Sequence, residues 1–127
     1  MSADVPVLYD EDSATPVPTI WRETLIQIVE AFKTNDLISI NHIKGVQNIE
    51  LEYLQEIAEN ITNYGETLVS LPDETWNSSQ AYWKGFCWDI ILDLFTESEG
   101  RSDLILSMRV FETDGVFEYS IQNIYVP

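Results

Sequence analysis

Apolar residues recur along this chain with two periods, and the period changes once. Trp21, Leu25, Ile28, Val29 and Phe32 fall at i, i+4, i+7, i+8 and i+11, one face of an α-helix. Pro18 stops any helix upstream, Thr19 is placed to cap the new one, and Thr34-Asn35-Asp36 closes it. Leu51, Leu54, Ile57, Ala58, Ile61 and Tyr64 make a second helical stripe. Asn48 is its predicted N-cap, Glu50 and Glu52 sit where the helix dipole favours negative charge, and Gly65 is placed to leave the helix in a left-handed conformation. Between the two stripes, Leu37 to Gln47 fits either a short strand or a buried loop, with a turn at Gly45.

Beyond residue 87 the period becomes two. Trp88, Ile90, Leu92 and Leu94 alternate with Asp89, Ile91, Asp93 and Phe95, and Leu104, Leu106, Met108 and Val110 alternate with Ile105, Ser107, Arg109 and Phe111. A hairpin centred on Glu99 sets Leu92 opposite Leu106, Ile90 opposite Met108, Asp89 opposite Arg109 and Glu97 opposite Arg101, with Ser98-Glu99-Gly100 as the turn. Asp114-Gly115 is a two-residue hairpin signal. Phe117, Tyr119 and Ile121 continue the apolar face, while Ile124 and Val126 have the opposite parity, which predicts a bulge near Gln122-Asn123. Thr67 to Leu71 is a short apolar run stopped by Pro72, and Asp73 to Gln80 reads as a loop or one helical turn. Residues 1–18 carry acids and prolines without a period and read as a tail, able to lie on the domain through Val7, Leu8 and Tyr9. The expected architecture is a single α+β domain over 19–127, two N-terminal helices packed on one face of a three- to four-stranded antiparallel meander.

Composition changes the picture through charge. Twenty-two Asp and Glu against six Lys and Arg give −16 in 127 residues, whereas the apolar content, 45%, is ordinary. Such a surface repels phosphates, so nucleic acid and anionic membranes are excluded as partners and a basic protein is favoured. No apolar stretch approaches the length needed to span a bilayer, and Met1-Ser2-Ala3-Asp4 lacks the regions of a signal peptide, so a cytoplasmic location is expected.

Candidate chemistry is sparse. Asp89 and Asp93, four residues apart on a strand, stand roughly 13 Å from each other, too far for a glycosidase pair. Glu97, Glu99 and Asp103 miss the spacing of a calcium loop and fit a hairpin tip. Cys87 lies in the apolar run Phe86-Cys87-Trp88, away from the single histidine, His42, and reads as a small buried hydrophobe. No phosphate loop, metal motif or nucleophile triad occurs, so neither an enzymatic activity nor a cofactor is expected. The aromatics Trp76, Tyr82, Trp83, Phe86 and Trp88 crowd together beside Asp73 and Glu74, and Trp and Tyr are common interface anchors. Asp73, Glu74, Trp76, Trp83, Glu97, Glu99 and Asp103 are therefore the expected partner-binding residues.

The runs Tyr64-Gly65-Glu66-Thr67-Leu68-Val69 and Leu71-Pro72-Asp73-Glu74-Thr75-Trp76 resemble a family of small acidic bacterial proteins of unassigned activity. So do Asp93-Leu94-Phe95-Thr96, Glu99-Gly100-Arg101-Ser102-Asp103-Leu104 and the ending Tyr125-Val126-Pro127. In size, charge and character the chain is also similar to immunity proteins of contact-dependent growth inhibition and related polymorphic toxin systems. That resemblance implies a cytoplasmic protein that binds and neutralises a basic toxin domain, such as a nuclease. The rival expectation is an acidic nucleic-acid mimic or adaptor for a cellular basic protein. A third, an enzyme using Asp89, Asp93 or Asp103, has the least in its favour.

Overall fold

The computed structural model describes residues 4–127. A 3-10 turn, Thr19–Trp21, runs into α1 (Arg22–Lys33), followed by α2 (Leu37–Ile40), α3 (Leu51–Tyr64) and α4 (Thr75–Ser78). Four strands then form one antiparallel sheet in chain order: β1 (Gln80–Trp83), β2 (Trp88–Thr96), β3 (Gly100–Thr113) and β4 (Val116–Tyr125). The fold is α+β, as the change of period predicts.

Both helical stripes form, but their starts differ from expectation. Thr19 does not cap α1; its hydroxyl accepts the backbone N–H of Val5 at 2.7 Å. Asn48 does not cap α3, which begins three residues later behind an extended Glu50. The cause is Asn41, whose side chain binds both the N–H and the C=O of Ile49 and holds that stretch extended. Gly65 ends α3 at φ 87°, as expected. Leu37–Ile40, left between strand and loop by its sequence, is a single helical turn.

The β2–β3 register is the expected one through its centre: Asp89 pairs with Arg109, Ile90 with Met108 and Leu92 with Leu106. Near the tip it shifts, so that Phe95 faces Arg101 and Thr96 faces Gly100. Glu97 does not oppose Arg101, and the turn is Glu97-Ser98-Glu99. The extra residues sit at Ser102 to Leu104, where the buried Ser102 hydroxyl donates to the Leu94 carbonyl at 2.8 Å and accepts the Leu104 N–H. That side chain replaces ladder bonds and fixes a bulge that no hydrophobic pattern announces. The Asp114-Gly115 turn forms with φ 53° and 78°, both positive as a type I′ turn requires. In β4 the register slips between Asn123 and Ile121, leaving Gln122 as the predicted bulge.

One hydrophobic cluster joins Trp21, Leu25 and Ile28 before and in α1, Leu54 and Ile57 of α3, and the alternate residues Trp88, Ile90, Leu92, Leu106 and Met108 of the sheet. The segment read as a tail lies along this body. Val17 is fully buried, Thr15 exchanges both backbone bonds with Ala81 of β1, and the Leu8 carbonyl accepts the Trp88 indole N–H at 2.9 Å. Backbone from outside the sheet meets it at isolated points along its edges. Thr15 lies on β1, Leu68 and Val69 lie on the far half of β2, and Gly45 to Gln47 pair with Tyr119 of β4.

Candidate functional site

A cleft of about 820 Å³ opens between the N-terminal segment, α1 and α4. Val5 and Pro16 form one wall, Thr19, Arg22, Glu23 and Ile26 a second, and Asp73, Glu74, Trp76 and Asn77 the third. Its geometry follows from two hydroxyls. Thr75, fully buried, donates to the Asp93 carbonyl at 2.7 Å, a group that β1 is too short to reach, and so pins α4 to β2. Ser79 donates to the Trp76 carbonyl and accepts the Val17 N–H, tying the N-terminal segment to the end of α4.

Trp76 is the floor of the cleft. Its ring is 7% exposed and belongs to the core cluster, so it supports the site from below and does not project from it. The Arg22 guanidinium lies 5.0 Å from the ring centroid and donates from Nε to the Val17 carbonyl at 3.0 Å. Cation–π stacking and that hydrogen bond hold the one cation of the cleft in place. Glu23, Asp73 and Glu74 are exposed at the mouth, and none is among the carboxylates in ion pairs. Among the described residues three ion pairs engage only two of the 22 carboxylates, Glu30 and Asp89.

The hairpin tip gathers a second acidic group. Glu97, Glu99 and Asp103 are exposed. Glu99 accepts the hydroxyls of Thr96 and Tyr64, each at 3.0 Å, and the Ser98 hydroxyl donates to Glu66. The Asp103 N–H donates to the Tyr64 oxygen at 3.2 Å. That last bond lowers the Tyr64 pKa, but desolvation and the neighbouring Glu99 and Asp103 charges outweigh it, and the phenol stands above its ordinary value of 10.0. Asp93, to which α4 is pinned, precedes Glu97 by four residues, about 13 Å along the strand. The cleft and the tip therefore flank the same end of β2.

Trp83 belongs to neither group. Its ring packs at a tilt on Trp88, centroids 4.5 Å apart, and edge-to-face on Tyr9 at 5.2 Å, in an aromatic cluster that Trp21 and Phe117 complete. Sequence reasoning missed Arg22, Glu23, Val5 and Pro16. Each looks like ordinary surface in the chain, and only the long-range docking of the N-terminal segment brings them to Trp76.

Among the described residues no group of three His, Cys, Asp or Glu side chains converges to hold a metal ion, and no helix is long and apolar enough to cross a membrane. Cys87 is buried and unpaired. Burial raises its thiol pKa most, the Asp89 charge adds to that, and Arg109 and Lys84 oppose it.

Residues 29–127 match the model of a domain of unknown function, DUF7668. The chain belongs to this family. The match begins inside α1, yet Val17, Trp21, Leu25 and Ile28 before it are fully buried, so the folded unit reaches further towards the N-terminus than the family-defining region. No curated protein and no solved structure matches the chain.

Proposed function

We propose that this protein is a cytoplasmic binding protein that neutralises a basic toxin domain, in the manner of an immunity protein, and that it performs no chemistry itself. The carrying observation is the cleft over Trp76, where Glu23, Asp73 and Glu74 surround a mouth with no ion-paired carboxylate. A lysine or arginine side chain entering there would meet three carboxylates. Arg22, spent on Trp76 and Val17, offers them no partner. The hairpin tip adds a second acidic group, and the remaining unpaired charge steers a basic partner from a distance. In this reading α1 and α3 form one layer on one sheet face and serve as scaffold, and the cleft and the tip face the partner.

The test is binding to the purified product of the neighbouring gene, by surface plasmon resonance at two salt concentrations. Raised salt should slow association, and Asp73→Lys with Glu74→Lys should lower the on-rate about tenfold or more. Glu97→Lys with Glu99→Lys should act in the same direction. Trp76→Ala should mainly raise the off-rate, through loss of the cleft floor. A salt-independent on-rate removes the steering argument. A neighbouring product that neither binds nor is neutralised in cells defeats the immunity reading. Binding instead to a chromosomal basic protein, displaced by duplex DNA, would establish the nucleic-acid mimic.

A further inference from the structure

An antiparallel sheet with one solvated face normally presents polar residues on that side. Here the face turned away from the core is mixed: Gln80, Ser107, Ser120 and Asn123 follow the rule, but large apolar side chains stand among them. The register places Ile105 beside Tyr125 and carries Tyr82, Ile91, Phe95 and Phe111 on the same parity. None of these six belongs to the core cluster or to the side chains packed against it. Phe95 and Ile105 are buried within the single chain, Tyr82 and Phe111 are half-buried, and Ile91 and Tyr125 remain 37% and 38% exposed. Large apolar side chains are thus held in order on a face that the core does not use.

The same face is the one place where charge is balanced. It carries three carboxylates, Asp89, Asp93 and Glu118. Against them stand Arg101 and Arg109, with Lys84 reaching in from the β1–β2 turn to 3.8 Å from Asp89. Half of the six Lys and Arg of a chain with net charge −16 are therefore gathered at one face. Asp89 is held between Arg109, at 3.1 Å, and Lys84. Everywhere else carboxylates predominate, and a second copy would be repelled.

We propose that this face pairs with the same face of a second copy, giving a two-fold homodimer of two stacked sheets. A basic partner finds better complementarity at the acidic cleft, and a second copy is the occupant suited to a charge-balanced face with exposed apolar side chains on an otherwise anionic body. The dimensions agree. Four strands about 4.8 Å apart and about nine residues at 3.3 Å each span roughly 600 Å² in plan. A standard interface takes about 800 Å² of accessible surface from each partner, and side-chain relief brings the accessible area above the plan area. Like patches meeting across a two-fold axis are self-complementary, and the stacked sheets would lie about 10 Å apart. The cleft and the N-terminal segment, on the core side, stay free, so each dimer offers two acidic sites.

Sedimentation equilibrium of the full chain tests this. The expected mass is twice 14.6 kDa at about 100 µM, where a dissociation constant of ~10 µM leaves most chains paired. Ile91→Lys and Tyr125→Lys should each give a monomer whose melting temperature equals that of the wild type at about 1 µM, where both are monomeric. Ile20→Lys, at a 65% exposed position before α1, should leave the dimer intact. Each of these changes makes the net charge less negative, so dissociation by the first two alone cannot come from general repulsion. Association should also tighten as salt rises, because screening relieves the repulsion between the rest of the two surfaces. A wild-type monomer at that concentration overturns the proposal. So does a dimer that survives both substitutions at the sheet face.

Discussion

Trp88 is where the sheet, the helices and the N-terminal segment meet, and its truncation gives the sharpest measure of the fold. The side chain is 1% exposed and touches Trp83, Trp21, Tyr9 and Phe117 with ring centroids 4.5 to 6.0 Å away. An indole buries about 200 Å², or roughly 5 kcal/mol at 25 cal/mol per Å², and aromatic-to-alanine truncations in cores cost about 3–5 kcal/mol. At about 2.1 cal/mol/K per residue the unfolding entropy is near 0.27 kcal/mol/K, so Trp88→Ala should lower Tm by roughly 11–19 °C. A pair of milder changes separates packing from hydrogen bonding. Trp88→Phe loses part of the ring and the bond to the Leu8 carbonyl, for a total of about 2–3 kcal/mol. Trp21→Phe loses a similar volume, but the Trp21 N–H is buried with no partner among the described residues, and removing it relieves a cost. Trp21→Phe should therefore be the cheaper of the two by about 1–2 kcal/mol. Urea titrations of the three variants measure this. A loss below about 1 kcal/mol for Trp88→Ala, or a Trp21→Phe cost equal to that of Trp88→Phe, would refute the reasoning.

Gly45 and Gly65 both have positive φ, but a Cβ at Gly65 meets nothing, whereas at Gly45 it comes within 3.2 Å of the Tyr119 ring. Gly65→Ala should cost about 1 kcal/mol and Gly45→Ala about twice that, read as urea midpoints. Asp89→Asn should cost under about 1 kcal/mol, because its two ion pairs are partly exposed and screened; a larger loss by denaturant titration would contradict that valuation. The phenols of Tyr9, Tyr64 and Tyr119 are raised above 10.0, Tyr9 chiefly by its hydrogen bond to Glu112 and Tyr119 chiefly by burial. The folded state then holds these protons more tightly than the unfolded chain, so stability is intact below pH 10 and falls as pH rises beyond it, a slope that Tyr9→Phe should flatten in titrations across that range. Native Cys87 should react with iodoacetamide far more slowly than the urea-unfolded chain, since it is buried and its thiol pKa is raised; equal rates would show that the site opens freely.

Period two over Trp88–Leu94 and Leu104–Val110 was enough to set the central register, because a slip of one residue would turn Leu92, Leu106 and their neighbours away from the core. The bulges show the limits of that logic. At Gln122 the parity change of Ile124 is visible in the chain, whereas at Ser102 a single hydroxyl does the work and leaves no trace in the pattern. Strand β1 was not legible because its four residues are too few to display a period, and they become a strand by pairing with β2 on one side and Thr15 on the other. The acidic parts of the candidate site could be read as local runs. Its walls could not, since Val5 and Thr19, or Val17 and Ser79, meet only in three dimensions.

The cover on β1 has a consequence for how the molecule is made. The strip that shields β1 is synthesised first and the sheet last, so the cover is already outside the ribosome when its edge emerges. Cover and edge travel in one chain, and the exposed interval of β1 depends on loop closure and not on finding another molecule. With the Ala81 backbone occupied, strand addition at β1 is closed to a passing peptide, and side chains are left to decide what meets the protein there. A chain trimmed past Thr15 would lose that discrimination along β1, and its Ala81 amide would be open to any strand that passed.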